Sequence, residues 1–144
     1  MYLISMKIWI FFLMILPIVS FSQDLNQHQW KDRVILVLAD SYKNSQLTKQ
    51  LSEFSTKVND LQERKLVVYR IVPSSYQKGI KKSDIIKNNT LYTKYNSSNE
   101  DFKIILIGLD GGAKLESNKV ISSSQIFDQI DQMPMRRQEL RTKN

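Results

Sequence analysis

Asp40-Ser41-Tyr42-Lys43-Asn44-Ser45 is the first segment of the chain where chemistry could gather. It lies between an apolar run and an amphipathic stretch, so it forms a strand-to-helix loop. Free amides at the helix N-terminus could hold a small anion there, with Lys43 adding positive charge. The plainer reading, and the favoured one, is a capped loop in which Asn44 or Ser45 supplies the cap oxygen. Asp40, Asp101, Asp110, Asp128 and Asp131 offer carboxylates for acid–base work, but no spacing sets a chosen pair across one cleft. Asp128 and Asp131 are three residues apart and share a helix face; Asp131 is expected to cap, or to pair with Arg136 or Arg137 and hold a break at Pro134 closed. The one histidine, His28, lies in the polar lead Gln27-His28-Gln29 and is expected to be solvated. No G-x-S-x-G turn is present for a hydrolase triad to use.

The chain has no cysteine. That excludes a thiol nucleophile, a disulfide, a thiolate metal cage and a lipidated cysteine, and a single imidazole excludes multi-histidine metal sites. No cofactor and no metal are expected. The 144 residues carry 21 basic and 14 acidic side chains, a formal net charge of +7. Lys78, Lys81, Lys82, Lys87 and Lys94 crowd one segment, and Arg136, Arg137, Arg141 and Lys143 crowd the tail. Such a positive field suits an anionic glycan or an anionic surface; specific nucleic-acid recognition is not expected, because no known module is present. Tyr76, Tyr92 and Tyr95 among the lysines would suit stacking on sugar rings, or would peg that segment to the core.

These residues are positioned by a short series of elements. Val34–Ala39 is a continuous apolar run and reads as a strand covered on both faces. Leu47, Leu51, Phe54, Val58 and Leu61 recur at steps of four and three and predict one amphipathic helix. Leu66–Val72 is a second strand, and strand, helix and strand together have the dimensions of a βαβ unit. The polar stretch Pro73 to Asp101 predicts a helix from Ser83 to about Tyr95 between loops. Phe102–Leu109 is a third strand, turned at Asp110-Gly111-Gly112 into a polar edge strand from Lys114 to Ile121. Ser122 with Gln125 fits a capping box ahead of Ile126, Phe127, Ile130 and Met133, and Pro134 must kink or restart that last helix. The order β-α-β-α-β-β-α predicts a four-stranded mixed sheet in an α/β/α sandwich.

The N-terminus carries its own signal. Lys7, the apolar run Ile8–Val19 with Pro17, and then Ser20 and Ser22 follow the order of a secretory signal peptide. Cleavage is expected after Ser22, and Met6 is an alternative start. A spanning anchor would need about 20 apolar residues. The expected organisation is a signal peptide over 1–22, a lead over 23–28, a domain over 29–140 and a basic tail over 141–144. The processed protein would be exported, periplasmic or secreted, with no transmembrane segment.

Four stretches carry a family resemblance: Trp30-Lys31-Asp32-Arg33; Gln62-Glu63-Arg64; Asp101-Phe102 through Asp110-Gly111-Gly112 to Lys114; and Ile130-Asp131-Gln132-Met133-Pro134-Met135-Arg136-Arg137. Together they resemble the domain-of-unknown-function family DUF4174, over about Gln29 to Leu140. That family is similar to thioredoxins and to modules of extracellular sushi-repeat and coiled-coil-domain proteins. The resemblance implies a thioredoxin-like fold and a redox ancestry. It also marks Trp30, Arg33, Arg64, Asp110, Gly111, Gly112, Lys114, Asp131, Met133, Pro134, Met135, Arg136 and Arg137 as a signature with a structural role. A thioredoxin's reactive pair follows its first central strand; here Tyr42 and Ser45 stand roughly where two cysteines would. A thioredoxin's cis-proline precedes its third strand, and Ser97 to Asp101 holds no proline. The leading expectation is therefore an exported binding or interaction module. The alternative is a non-redox enzyme using carboxylate or hydroxyl groups of the Asp40–Ser45 loop.

Overall fold

The computed structural model describes residues 25–144, so the expected signal peptide and the first residues of the lead lie outside it. After a 3-10 turn at Leu25–His28 the elements are β1 (Arg33–Ala39), α1 (Ser45–Ser55), α2 (Val58–Glu63), β2 (Leu66–Val72), β3 (Ser75–Lys78), β4 (Ile86–Lys87), α3 (Thr90–Tyr95), β5 (Phe102–Ile107), β6 (Ala113–Ser117), α4 (Ser123–Asp131) and α5 (Pro134–Thr142). They build one mixed six-stranded sheet in the order β4-β3-β2-β1-β5-β6. β1 pairs parallel with β2, Arg33 opposite Leu66, and antiparallel with β5, Val34 opposite Ile107.

Every residue of β1 is buried, as its unbroken apolar run requires. Alternation divides the core into two layers. Ile35, Val37 and Ala39 pack with Leu47, Phe54 and Leu61 and with Ile126, Phe127 and Ile130 of α4. On the other side Val34, Leu36 and Leu38 pack with Tyr69, Ile71, Tyr76 and Leu91, and Tyr92 and Tyr95 of α3 lie against them. No helix among the described residues is long and apolar enough to cross a membrane.

The sheet has six strands where four were expected. The expected four are β2-β1-β5-β6, and β3 and β4 extend the sheet beyond β2. β3 returns directly after Pro73-Ser74 with Val72 opposite Ser75, and its polar sequence hides the pairing because an edge strand is held by backbone bonds. The expected helix from Ser83 starts only at Thr90: Ser75 and Tyr76 pair with Lys87 and Ile86, and Asn88 Oδ1 accepts from the Thr90 and Leu91 amides at 3.0 Å each.

The single helix expected over Leu47–Leu61 is two helices, and Val58, placed on its core stripe, is 40% exposed. Ser52 Oγ donates to the Lys49 carbonyl at 2.6 Å and Ser55 Oγ to the Ser52 carbonyl at 2.8 Å, competing for acceptors where the first helix ends. β6 stops at Ser117 rather than Ile121. Ile121 is instead held by the buried Gln50 side chain, whose Nε2 donates to its carbonyl at 2.8 Å and whose Oε1 accepts its amide at 2.9 Å. Pro134 does restart the last helix, occupying its first turn.

Candidate functional site

β1 delivers the Asp40–Ser45 loop to the edge of α1, and the loop's polar side chains are spent on holding it. Asn44 Oδ1 accepts from the Gln46 and Leu47 amides at 2.9 and 3.2 Å, the helix N-terminal donors that an anion would need. Asn44 Nδ2 donates to Asp40 Oδ1 at 2.8 Å and to the Asp101 carbonyl at 3.1 Å. Ser41 Oγ accepts from the Lys43 amide at 3.3 Å, and the Tyr42 and Ser75 hydroxyls share a hydrogen bond at 3.0 Å. Lys43 and Ser45 are exposed. Asn44→Ala is expected to cost about 1–2 kcal/mol, measured as a lower urea midpoint, since it removes the cap and both bonds, to Asp40 after β1 and to Asp101 before β5.

Beside Tyr42 a cleft of ≈ 410 Å³ opens between α1 and the β2–β3 face, lined by Leu47, Thr48, Leu51, Arg70, Gln77 and Ile85, with Lys82 and Ser83 also on its wall. Arg70 lies opposite Gln77 and is 7% exposed. Its Nη2 donates to the Lys81 carbonyl, while its Nε is buried without an acceptor. Burial pulls the guanidinium below its ordinary pKa, opposed by Tyr42. Of this cleft, the sequence marks Tyr42 in the loop and Lys82 in the lysine-rich stretch. A signal for Arg70 existed: it is a charge inside Leu66–Val72, in phase with Leu66 and Val68, both of which face the α1 layer.

The signature residues gather at the other end of β1. Arg64 grips Asp131 with Nε at 3.1 Å and Nη2 at 2.8 Å, and stacks over Phe127 at 4.4 Å. Arg136 reaches Asp131 at 3.1 Å, Glu63 Oε1 at 3.1 Å and the Glu63 carbonyl at 3.2 Å. Arg33 bonds the Arg64 carbonyl at 2.9 Å and Glu139 at 3.3 Å. Asp131 thus pairs with Arg136 and Arg64 across the break at Pro134, and Arg137 is exposed. In the β5–β6 turn Gly111 takes φ +82°, and Asp110 accepts from Lys114 Nζ at 2.7 Å and the Gly112 amide at 2.9 Å. Those two bonds hold the Asp110 carboxyl below its ordinary pKa. Arg33, Asp110, Lys114, Met133, Pro134 and Met135 border a second cleft of ≈ 310 Å³. Trp30 is 63% exposed, in a left-handed backbone conformation with φ 67°.

His28 is not solvated, as the sequence had suggested, but buried. Its Nδ1 is 2.8 Å from Asp32 Oδ2 and its Nε2 2.6 Å from the Tyr69 hydroxyl. The 3-10 turn folds the polar lead onto β2, which a lead of that composition does not announce. Burial raises the Tyr69 phenol above its ordinary pKa. Tyr76 is buried, and Tyr92 and Tyr95 pack on the same core layer, so these tyrosines are pegs rather than stacking platforms. Asp101 contributes its backbone carbonyl to the loop, and Asp128 is exposed on α4. Among the described residues no three His, Asp or Glu side chains converge as a metal site requires.

Comparison with solved structures finds a crystal structure of reduced 2-Cys peroxiredoxin from Plasmodium vivax, with a TM-score of 0.57 at 16% identity over 79% of this chain and 84% of that one. At that identity the likeness concerns the fold, which is thioredoxin-like. No curated protein matches the sequence. Residues 24–139 match the family model described as a domain of unknown function, DUF4174, and the chain belongs to that family.

Proposed function

We propose that this chain is an exported, non-redox thioredoxin-like domain that works by binding, with its ligand site in the cleft between α1 and the β2–β3 face. One observation carries the reading. The loop that would hold reactive thiols is tied down, Asn44 to Asp40 and to the helix N-terminus and Tyr42 to Ser75 of β3, while its flank opens into a cleft of ≈ 410 Å³, a size typical of small-ligand sites. Electron transfer through a thiol has no sulfur to use, since the chain contains no cysteine. Export rests on Lys7, the run Ile8–Val19 and the small residues Ser20 and Ser22.

The test places the photoreactive residue p-benzoylphenylalanine at Ile85, which is 59% exposed on the rim of the cleft, and in a control at Met135 on the second cleft. After irradiation in the cell, intact mass is expected to show an adduct at position 85, and the adduct is expected to persist when Asp40 and Ser45 are both replaced by Ala. An adduct confined to position 135, or no adduct, contradicts the reading. Loss of the adduct in the double variant favours the enzyme alternative.

A second reading concerns the outer edge of the sheet. Lys78, Lys81, Lys82 and Lys87 are exposed there on β3, β4 and their connection, with Asp84 the one acidic residue in that stretch. This supports attraction to an anionic glycan or anionic surface. The protein is expected to be retained on a heparin-like column at low ionic strength and to elute early as salt rises. Passage without retention at low ionic strength rejects it.

A further inference from the structure

Among the described residues Arg70 is the buried cation without a counter-charge. Removing a guanidinium from water costs several kcal/mol unless an opposite charge and hydrogen-bond acceptors meet it. The chain supplies that opposite charge for Arg33, Arg64 and Arg136 with Glu139, Asp131 and Glu63, although Arg33 also keeps a buried Nε without an acceptor. Among the described residues Arg70 has no carboxylate partner: it has the Lys81 carbonyl for Nη2, and nothing for a buried Nε.

The guanidinium lines the cleft beside α1, whose remaining wall is of two kinds. Leu47, Leu51 and Ile85 are apolar, and Ile85 stands 59% exposed at the mouth; Lys82 adds a second cation. Gln77, opposite Arg70, is committed through Nε2 to the Ser83 carbonyl at 2.7 Å. Arginine carries five N–H donors in a fork that matches a carboxylate, and the ligand that completes the site is an anion small enough to sit beside hydrocarbon.

We infer that this cleft binds a monocarboxylate with an apolar body, its carboxylate on Arg70, its charge drawn in by Lys82, and its hydrocarbon against Leu47, Leu51 and Ile85. The inference rests on the binding reading above and supplies the ligand class. A free fatty acid and the C-terminus of an apolar peptide share this chemistry.

The experiment is calorimetric titration of the purified protein with octanoate, with N-acetylphenylalanine as the mimic of a peptide C-terminus, and with octanamide as the neutral isostere. One of the two carboxylates is expected to bind one-to-one, at least tenfold more tightly than octanamide, and whichever binds identifies the source. Arg70→Met is expected to weaken it at least tenfold. Lys82→Glu, at an exposed position whose side chain the fold does not need, is expected to weaken it at least threefold, so the test survives if the Arg70 variant fails to fold. Failure of both carboxylates to bind, octanamide binding as tightly as either, or affinity unchanged by Lys82→Glu overturns the inference. If octanoate and N-acetylphenylalanine fail while the photoreactive residue at position 85 still captures a non-acidic molecule, the ligand class is wrong and the binding reading stands. Failure of both experiments removes both.

Discussion

Arg136→Met is expected to lower unfolding free energy by about 3 kcal/mol, read as a lower urea midpoint with unchanged slope. The Arg136 side chain is 2% exposed and ties α5 to Asp131 at the end of α4 and to Glu63 at the end of α2. Methionine keeps most of the volume, so the loss reports hydrogen bonds and charge rather than a cavity. The loss falls short of the 5 kcal/mol or so that a fully buried pair can cost, because Asp131 and Glu63 are 35% and 45% exposed and water recovers part of it. Against a total of about 5–15 kcal/mol for a domain, the effect is large. Arg137→Met, at the exposed neighbour, is expected to stay within about 0.5 kcal/mol.

The same cluster sets an acid limb. Burial alone would raise the Asp131 carboxyl, but the hydrogen bonds and charges of Arg64 and Arg136 outweigh it and hold the pKa below its ordinary value. A carboxyl depressed in the folded state contributes stability above its unfolded pKa of about 4 and loses it as pH falls through the folded value. Stability of the parent protein should therefore drop below about pH 4, and Arg136→Met should flatten part of that drop.

Phe54→Ala is expected to cost about 3–5 kcal/mol by the same measurement. Phe54 is 0% exposed and belongs to the core layer of Leu47, Leu61, Ile126, Phe127 and Ile130. Truncating it loses transfer energy and leaves a cavity that β-strands on one side cannot collapse into. Val58→Ala is the informative contrast. Were α1 and α2 one continuous helix with Val58 on its core stripe, this change would cost about 1–2 kcal/mol or more. With Val58 40% exposed at the start of a separate helix, it should cost less than about 0.5 kcal/mol.

The apolar elements were legible in the sequence for a simple reason: side-chain periodicity reports burial. β1, β2, β5, α4 and the restart at Pro134 lie close to where that pattern places them, and Ser122 accepts the Gln125 amide at 3.2 Å as its cap motif implies. β3 and β4 were illegible because their register is written in backbone hydrogen bonds between Ser75–Lys78, β2 and Ile86–Lys87, not in alternating side chains. His28 was misplaced for a related cause. Its partner Tyr69 is 41 residues away, and no local pattern announces a polar pair that closes over a core layer.

The candidate site divides along the same line. The Asp40–Ser45 loop could be located from the strand and helix around it, and its capped form follows from Asn44. The cleft beside it is assembled from α1, β2, β3 and the β3–β4 connection, two of which had no counterpart in the expected fold. Arg70 was visible as an odd residue in an apolar run, but only the fold shows that no carboxylate among the described residues pairs with it.

Ligand binding at Arg70 is tested most directly by an NMR titration of 15N-labelled protein with octanoate, following backbone amides and the arginine Nε–H signals. The Arg70 Nε–H signal and the amides of Tyr42, Leu51, Gln77 and Ile85 are expected to move together and saturate, while Arg33, Arg64 and Arg136 stay in place. Shifts confined to those three arginines, or an Arg70 signal that stays still throughout, would contradict binding at Arg70.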